Sequence, residues 1–301
     1  MGRAAQWIEG ASRPSFWAMS DHEQVISSGD YTRLRRLIYE ETGISLGAGK
    51  QTMLEGRIRR RLKALAIDSY RQYCGYLFSP HGIQEELVHL IDAVTTNKTD
   101  FFREPRHFDF LVSRVLPEYS EGSRSRNPFL LWSAGCSSGE EPYTLAMVLS
   151  EYGLAHPGFS FRILATDVST NVLGKAALGI YSNDTVRPVP QALKSKYLMR
   201  GRERGSARVR VVPELRSLVE FRRLNFMDSD YGIQERFDAI FCRNVIIYFE
   251  RPTQQSILGK ITQYLQPGGY LFMGHAETLH ELDLPVAPTA PALYRRLDGR
   301  A

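Results

Sequence analysis

Cysteine is scarce: Cys74, Cys136 and Cys242 are widely spaced and odd in number. That excludes a disulfide framework and a CxxC metal or redox site, and leaves reduced, structural thiols. Long apolar runs are missing as well. The longest, such as Ala239–Cys242 and Val245–Phe249, fall far short of the ~20 residues a membrane-spanning helix requires, so no membrane insertion is expected. The first twenty residues scatter Arg3, Glu9 and Arg13 among small and aromatic side chains, without the apolar stretch of a secretory signal. A cytoplasmic location follows, with residues 1–20 read either as a disordered tail or as an extension upstream of a start at Met19. No internal repeat or low-complexity tract is visible, which removes solenoids and propellers. What is present, 43% apolar and 24% charged residues in a chain of 301, is the composition of a globular protein with a length near two domains.

The net charge of +5 is modest but unevenly placed. Nine Lys/Arg face three acids between Arg33 and Lys63, and eleven face three between Arg187 and Arg223. Such stretches serve either as solvated faces or as a surface for an acidic partner.

From Asp21 to about Val94 apolar residues recur at helical spacing, as in Leu54, Ile58, Leu62 and Leu65, and predict an all-α domain over residues 21–94. Its second helix, about Met53–Leu65, sets Arg57, Arg60 and Arg61 on one side, with Arg59 and Lys63 adjoining. Residues 95–128 read as a linking helix followed by a polar linker. From Phe129 onward strands alternate with helices: Phe129–Trp132, Phe161–Ala165, Phe237–Cys242 and Tyr270–Met273 are the strands. That alternation argues for an α/β domain over 129–301 with a parallel sheet covered on both faces. A basic, turn-rich piece at about 181–223, containing the strand-like Ala207–Val212 and Leu218–Phe221, reads as a small antiparallel insertion.

A glycine-containing turn, Ser133-Ala134-Gly135-Cys136-Ser137-Ser138-Gly139-Glu140-Glu141, joins the first strand of this domain to its helix. Ligands of doubly wound sheets bind at such carboxyl ends. Two adjacent glutamates at a helix start would repel phosphate, and suit a ligand carrying an ammonium and a sulfonium. The second strand ends in Ala165-Thr166-Asp167, where a carboxylate can accept ribose hydroxyls; the competing role is an N-cap, by Asp167 or Ser169.

Together with Thr96–Glu104, Cys242–Phe249 and Pro267–Glu277, these segments resemble the CheR family of S-adenosylmethionine-dependent methyltransferases, which esterify glutamate side chains on bacterial chemotaxis receptors. The resemblance runs in order from about Asp21 to the C-terminus. It implies a Rossmann-like methyltransferase sheet with a small inserted antiparallel β-subdomain, preceded by an all-α domain. It also implies that Ala134, Glu140 and Asp167 line the cofactor site, Glu140 near the methionine amino group and Asp167 at the ribose. Asn225 and Phe226 would border the adenine. Asn97, Thr99 and Arg103 would cover the methionine end, and Asn244, Val245 and Tyr248 would reach it from the strand ending at Cys242. Arg103 and Tyr248 are the candidate catalytic residues, and Phe101, Phe102, Tyr248 and Phe249 the candidate walls. S-adenosylmethionine is the expected cofactor, S-adenosylhomocysteine the product, and no metal is expected.

The expected partner is the set of cytoplasmic methylation helices of a chemoreceptor, met by Arg57, Arg59, Arg60, Arg61 and Lys63, with the enzyme acting as a monomer. The loop Met199–Val209 is about as long as in relatives that hold a receptor C-terminal peptide but lacks their glycine pattern, which argues against tether use. Ala276 stands where many relatives have serine, so no hydroxyl acts there. A glutamate acceptor has an unperturbed pKa of about 4.3 and is already an anion at neutral pH, so no general base is required. Two other readings compete. A nucleic-acid methyltransferase fits the basic stretches, but Arg243-Asn244-Val245-Ile246 is not the Asn/Asp-Pro-Pro-aromatic motif used on a flipped base. A non-catalytic cofactor-binding module would have no need for Arg103, Asn244 and Tyr248 together.

Overall fold

The computed structural model describes residues 25–122, 127–201 and 207–297. The expected tail 1–20, residues 123–126 of the polar linker and residues 202–206 of the 199–209 loop lie outside them. Serine side chains start three of the four helices of the first domain. Ser27 accepts from the Asp30 N–H ahead of α1 (Ser28–Thr42), Ser69 caps α3 (Tyr70–Leu77) and Ser79 caps α4 (Pro80–Val94). With α2 (Gln51–Leu65) they bury Leu34, Ile38, Leu54, Ile58, Tyr73 and Leu90 in one cluster.

The basic face of α2 is smaller than its spacing predicts. Arg57 turns its guanidinium onto the last carbonyls of α4, those of Ala93, Val94 and Thr95, and is partly buried there. Arg61 makes a two-pronged pair with Glu86, at 2.8 and 2.7 Å, and that carboxylate is 1% exposed and also accepts from the Tyr73 hydroxyl. Both cations satisfy groups that folding would otherwise leave unpaired. Only Arg59, Arg60 and Lys63 remain exposed on that face.

The linking helix runs through α5 (Arg106–Phe110), a π-helical stretch at Leu111–Val115, and α6 (Leu116–Glu121). The widened turn lies just ahead of Pro117, whose ring has no N–H to offer Ser113.

The second domain begins with β1 (Phe129–Ala134), α7 (Glu140–Ala155), β2 (Phe161–Asp167) and α8 (Thr170–Leu178). A separate antiparallel sheet follows, made of β3 (Ile180–Ser182), β4 (Leu198–Arg200) and β5 (Arg208–Val211), with α9 (Gln191–Tyr197) between its first two strands. After α10 (Pro213–Arg216) come β6 (Val219–Arg223), β7 (Phe237–Cys242), α11 (Arg251–Gln263), β8 (Leu265–Met273), β9 (Val286–Ala290) and β10 (Leu293–Arg296). The main sheet has the order β6-β2-β1-β7-β8-β10-β9.

Two sequence expectations change here. Val219–Arg223 is not part of the insertion: it pairs parallel with β2 from Ile163↔Val219 to Asp167↔Arg223, so the small sheet ends with β5. The main sheet is also mixed, because β10 returns antiparallel to β8 and β9 antiparallel to β10. Strand order reverses beside β1, which pairs with β2 on one side and β7 on the other. Such a reversal opens a crevice at the carboxyl ends of the strands, since the following connections leave on opposite faces. Among the described residues no helix is long and apolar enough to cross a membrane.

Candidate active site

The crevice beyond β1, β2 and β7 is a cavity with lining from both domains. Its floor is the turn after β1. Gly135 sits at φ +85°, and a Cβ there would stand 2.5 Å from a methyl of Val245, so only glycine lets the two loops approach. The Gly135 and Cys136 N–H groups donate to the Thr166 carbonyl at 2.8 and 2.9 Å, which fastens the turn to the end of β2.

Asp167 completes the floor. One carboxylate oxygen accepts from the Ser137 N–H and the other from the Ser169 N–H, each at 2.9 Å. Ser169 itself caps α8 by accepting from Val172, so the N-cap is Ser169 and not Asp167. Burial pushes the Asp167 carboxyl above its ordinary pKa, and the two N–H donors pull the other way.

Nine of the sequence-predicted site residues line the cavity: Asn97, Thr99, Arg103, Asp167, Asn225, Phe226, Asn244, Val245 and Tyr248. Ala134 and Glu140 do not. Ala134 is buried beneath the turn, and the Glu140 carboxylate folds back to accept from the Ser138 hydroxyl at 2.7 Å. Its neighbour Glu141 lines the cavity instead, accepting from the Ser133 hydroxyl and from Arg243 Nε, both at 2.7 Å. Of the expected walls, Tyr248 and Phe249 are in place, whereas Phe101 packs edge-on against Tyr181 and Phe102 against Phe108.

Arg243 is the buried charge around which the site is assembled. Its side chain is 2% exposed; besides Glu141 it donates to the Arg103 carbonyl at 2.8 Å and to His107 Nδ1 at 3.0 Å, and lies 3.5 Å from Glu104. The rings of Phe108 and Phe241 flank it at 5.3 and 5.7 Å. Segment 97–107, which carries Asn97, Thr99 and Arg103, is thereby tied to the strand ends. Phe102, Glu104, Ser137 and Asn244 all adopt positive φ, between +50° and +59°. Non-glycine residues hold that conformation only where surrounding contacts impose it.

Glu104, His107 and His275 bring possible metal-ligand atoms within 4.8 Å of one another. The guanidinium of Arg243 already engages the first two. His107 is buried, and desolvation, followed by the charge of Arg243, holds its pKa down at about 4. The unfolded imidazole protonates near pH 6.5 and the folded one near the lower value, so stability falls as the pH drops through that window, by about 2 kcal/mol at pH 5. His107→Asn should flatten the acid slope of urea-unfolding stability between pH 7 and pH 5. An unaltered slope would contradict this assignment.

The helical domain supplies the roof. Thr42 and Ile44 line the cavity, Ile44 bridges antiparallel to Phe249, and the Ser45 N–H donates to the Tyr248 carbonyl at 3.0 Å. Asn225 donates its amide to the Glu41 carbonyl. The roof contacts, Glu141 and Arg243 were not assigned from sequence, although both side chains stand inside segments singled out there. A buried ion pair leaves no periodic trace.

The site fits a zwitterionic nucleoside. Asp167 offers an acceptor at the end of β2, Glu141 an anion for an ammonium, Arg103 a cation for a carboxylate, and the aromatic rim a dry wall. Residues 97–289 match the family described as "CheR methyltransferase, SAM binding domain", and residues 29–95 that described as "CheR methyltransferase, all-alpha domain". The molecule is therefore an S-adenosylmethionine-dependent methyltransferase. It is 40% identical over 258 residues to the chemotaxis protein methyltransferase of Borreliella burgdorferi, covering 84% of this chain and 89% of that one. It is 39% identical over 249 residues to chemotaxis protein methyltransferase 2 of Pseudomonas aeruginosa, covering 82% and 86%. With the Escherichia coli chemotaxis protein methyltransferase it shares 37% identity over 258 residues, covering 86% and 87%. The chain belongs to the CheR family and methylates in chemotaxis.

Proposed function

We propose that this enzyme transfers the methyl group of S-adenosylmethionine to glutamate side chains on the cytoplasmic helices of a chemoreceptor, forming methyl esters. The observation that carries the reading is the way the two cavity carboxylates, Asp167 and Glu141, are held. Asp167 accepts two N–H groups and Glu141 accepts a hydroxyl and a guanidinium, which fastens both in place, and in this reading their remaining lone pairs serve the cofactor's hydroxyls and ammonium rather than an acceptor's proton. A carboxylate acceptor needs no such base, because it is ionised at neutral pH.

Bound in the cavity, the cofactor supplies an electrophilic methyl on a sulfonium. Attack by an anion on a cation disperses charge, and the surroundings must therefore hold the two in line and exclude water. Tyr248 and Phe249 line the cavity and are suited to wall that path. Arg103 donates to the Lys98 carbonyl at 3.2 Å and lines the cavity, a position suited to the cofactor's own carboxylate and to orientation. A tight grip on the acceptor would stabilise the ground state and slow transfer.

The cavity shares Thr95, Thr96 and Asn97 with an adjoining cleft whose lining includes Arg60 of α2 and Lys175 of α8. This supports approach by an acidic helix over the exposed cations Arg59, Arg60 and Lys63. Arg60→Glu combined with Lys63→Glu is expected to lower receptor methylation at least tenfold at low salt, with the difference shrinking as salt rises. Binding of S-adenosylhomocysteine should stay as in wild type; equal methylation at low salt refutes the docking face. The reading as a whole is tested by transfer of labelled methyl to a purified receptor cytoplasmic fragment, with RNA as the parallel acceptor. Label released by mild base identifies the ester; base-stable label, or label on RNA alone, overturns it.

A further inference from the structure

We propose that Glu277 and Gln254 are positioning residues that clamp the 244–249 loop from behind and so set Asn244, Val245 and Tyr248 for methyl transfer. The inference rests on the function proposed above and concerns residues that do not line the cavity.

The loop follows β7 directly. Its short turn, Ile246–Tyr248, closes on two bonds, from the Tyr248 N–H to the Val245 carbonyl at 3.4 Å and from the Phe249 N–H to the Ile246 carbonyl at 3.1 Å, which leaves the N–H groups of 244–246 to find partners elsewhere. Asn244 stands at φ +59°, which directs three successive N–H groups toward the protein interior. Glu277, 5% exposed, receives all three: Oε2 accepts from Asn244 at 2.7 Å, and Oε1 accepts from Val245 and Ile246 at 2.8 Å each. A fourth donor, the Gly274 N–H, reaches Oε2 at 2.7 Å. Gly274 admits this approach, since a Cβ there would lie 2.3 Å from the Asn244 side-chain nitrogen.

The other end of the loop is held by the opposite chemistry. Gln254 Nε2 donates to the Ile246 carbonyl at 2.9 Å and to the Phe249 carbonyl at 3.0 Å. An ionised carboxylate only accepts and an amide nitrogen only donates. The loop's N–H groups therefore meet an acceptor and its carbonyls a donor, each from the side away from the cavity. Charge-assisted bonds to a buried carboxylate are the stronger half of this clamp. Burial raises the pKa of Glu277, opposed by its four donors.

The two clamps make opposite demands on near-isosteric exchange. Glu277→Gln puts an NH2 against N–H donors, and Gln254→Glu puts a carboxylate against carbonyls. With receptor fragment and labelled cofactor, kcat is expected to fall about 100-fold for Glu277→Gln and about tenfold for Gln254→Glu, the scale of a misplacement near 1 Å. Rates are expressed per chain that binds S-adenosylhomocysteine in calorimetry, so loss of folded protein does not enter, and KM for the receptor fragment should stay near its wild-type value. Glu277→Asp, which keeps the charge but shortens the reach, is expected to recover part of kcat. Normalised kcat within threefold of wild type in both clamp variants overturns the proposal, as does a loss seen only in KM. Hydrogen exchange on the ligand-free wild-type chain decides the matter without any variant: the amides of 244–246 should exchange at least about 100-fold more slowly than an open chain, and free exchange overturns the clamp. Wild-type protein that binds S-adenosylhomocysteine but methylates no receptor fragment would defeat the functional reading, while the exchange result still judges the clamp.

Discussion

Arg243→Met is expected to destabilise the protein by about 3–5 kcal/mol, the loss that follows when one partner of a buried ionic network is removed. Methionine fills most of the space between Phe108 and Phe241 but has no N–H to offer. Glu141 then keeps only the Ser133 hydroxyl, and the Arg103 carbonyl and His107 Nδ1 lose their donor. Arg243→Lys should recover little, because one ammonium on a flexible stem cannot meet acceptors that a planar fork reaches together. Urea unfolding measures the effect, and a loss under about 1 kcal/mol would show that the network is not coupled to folding. Because the same guanidinium ties residues 97–107 to the strand ends, the part of Arg243→Met that stays folded should also bind S-adenosylhomocysteine poorly.

Asp167→Ala is expected to weaken S-adenosylhomocysteine binding about 100-fold, equivalent to about 2.7 kcal/mol. Two losses combine: the acceptor at the end of β2, and the anchor that fixes the Ser137 N–H and with it the turn beneath the cofactor. Asp167→Asn keeps one oxygen and should fall between the variant and wild type. Stability should move far less than affinity. Burial already disfavours the ionised Asp167, so removing the charge relieves desolvation while it discards two hydrogen bonds. Titration calorimetry with the product, paired with thermal unfolding, separates the two quantities; affinity within twofold of wild type would remove Asp167 from the site.

What could be read in the sequence follows from what has a local signal. The helical domain, β1, β2, β7 and the end of β8 announce themselves by apolar period and by turn residues, and the lining residues in 97–103 and 244–248 lie in contiguous motifs. Glu140 and Glu141 differ by one helical position and so point about 100° apart, and the first turns back onto the hydroxyl of Ser138. Arg57 and Arg61 look like surface charges because helical spacing shows which side they occupy but not which carbonyls or carboxylate stand opposite. Val219–Arg223 carries the same short basic-apolar pattern whether it joins the small sheet or the large one; its partner, β2, is more than fifty residues earlier. Glu277 is the clearest case: a glutamate in a loop motif reads as solvated until four N–H groups are seen to converge on it.

The bridge from Ile44 to Phe249, with the bond from the Ser45 N–H to the Tyr248 carbonyl, joins positions more than two hundred residues apart across one wall of the cavity. Neither half of the polypeptide can raise that wall alone, and the entropy of closing so long a loop must be met before the contact contributes anything. Competence to hold the nucleoside should therefore arrive as the last event of maturation, after both cores have consolidated. In refolding from denaturant, recovery of ligand binding is expected to lag behind recovery of helical signal.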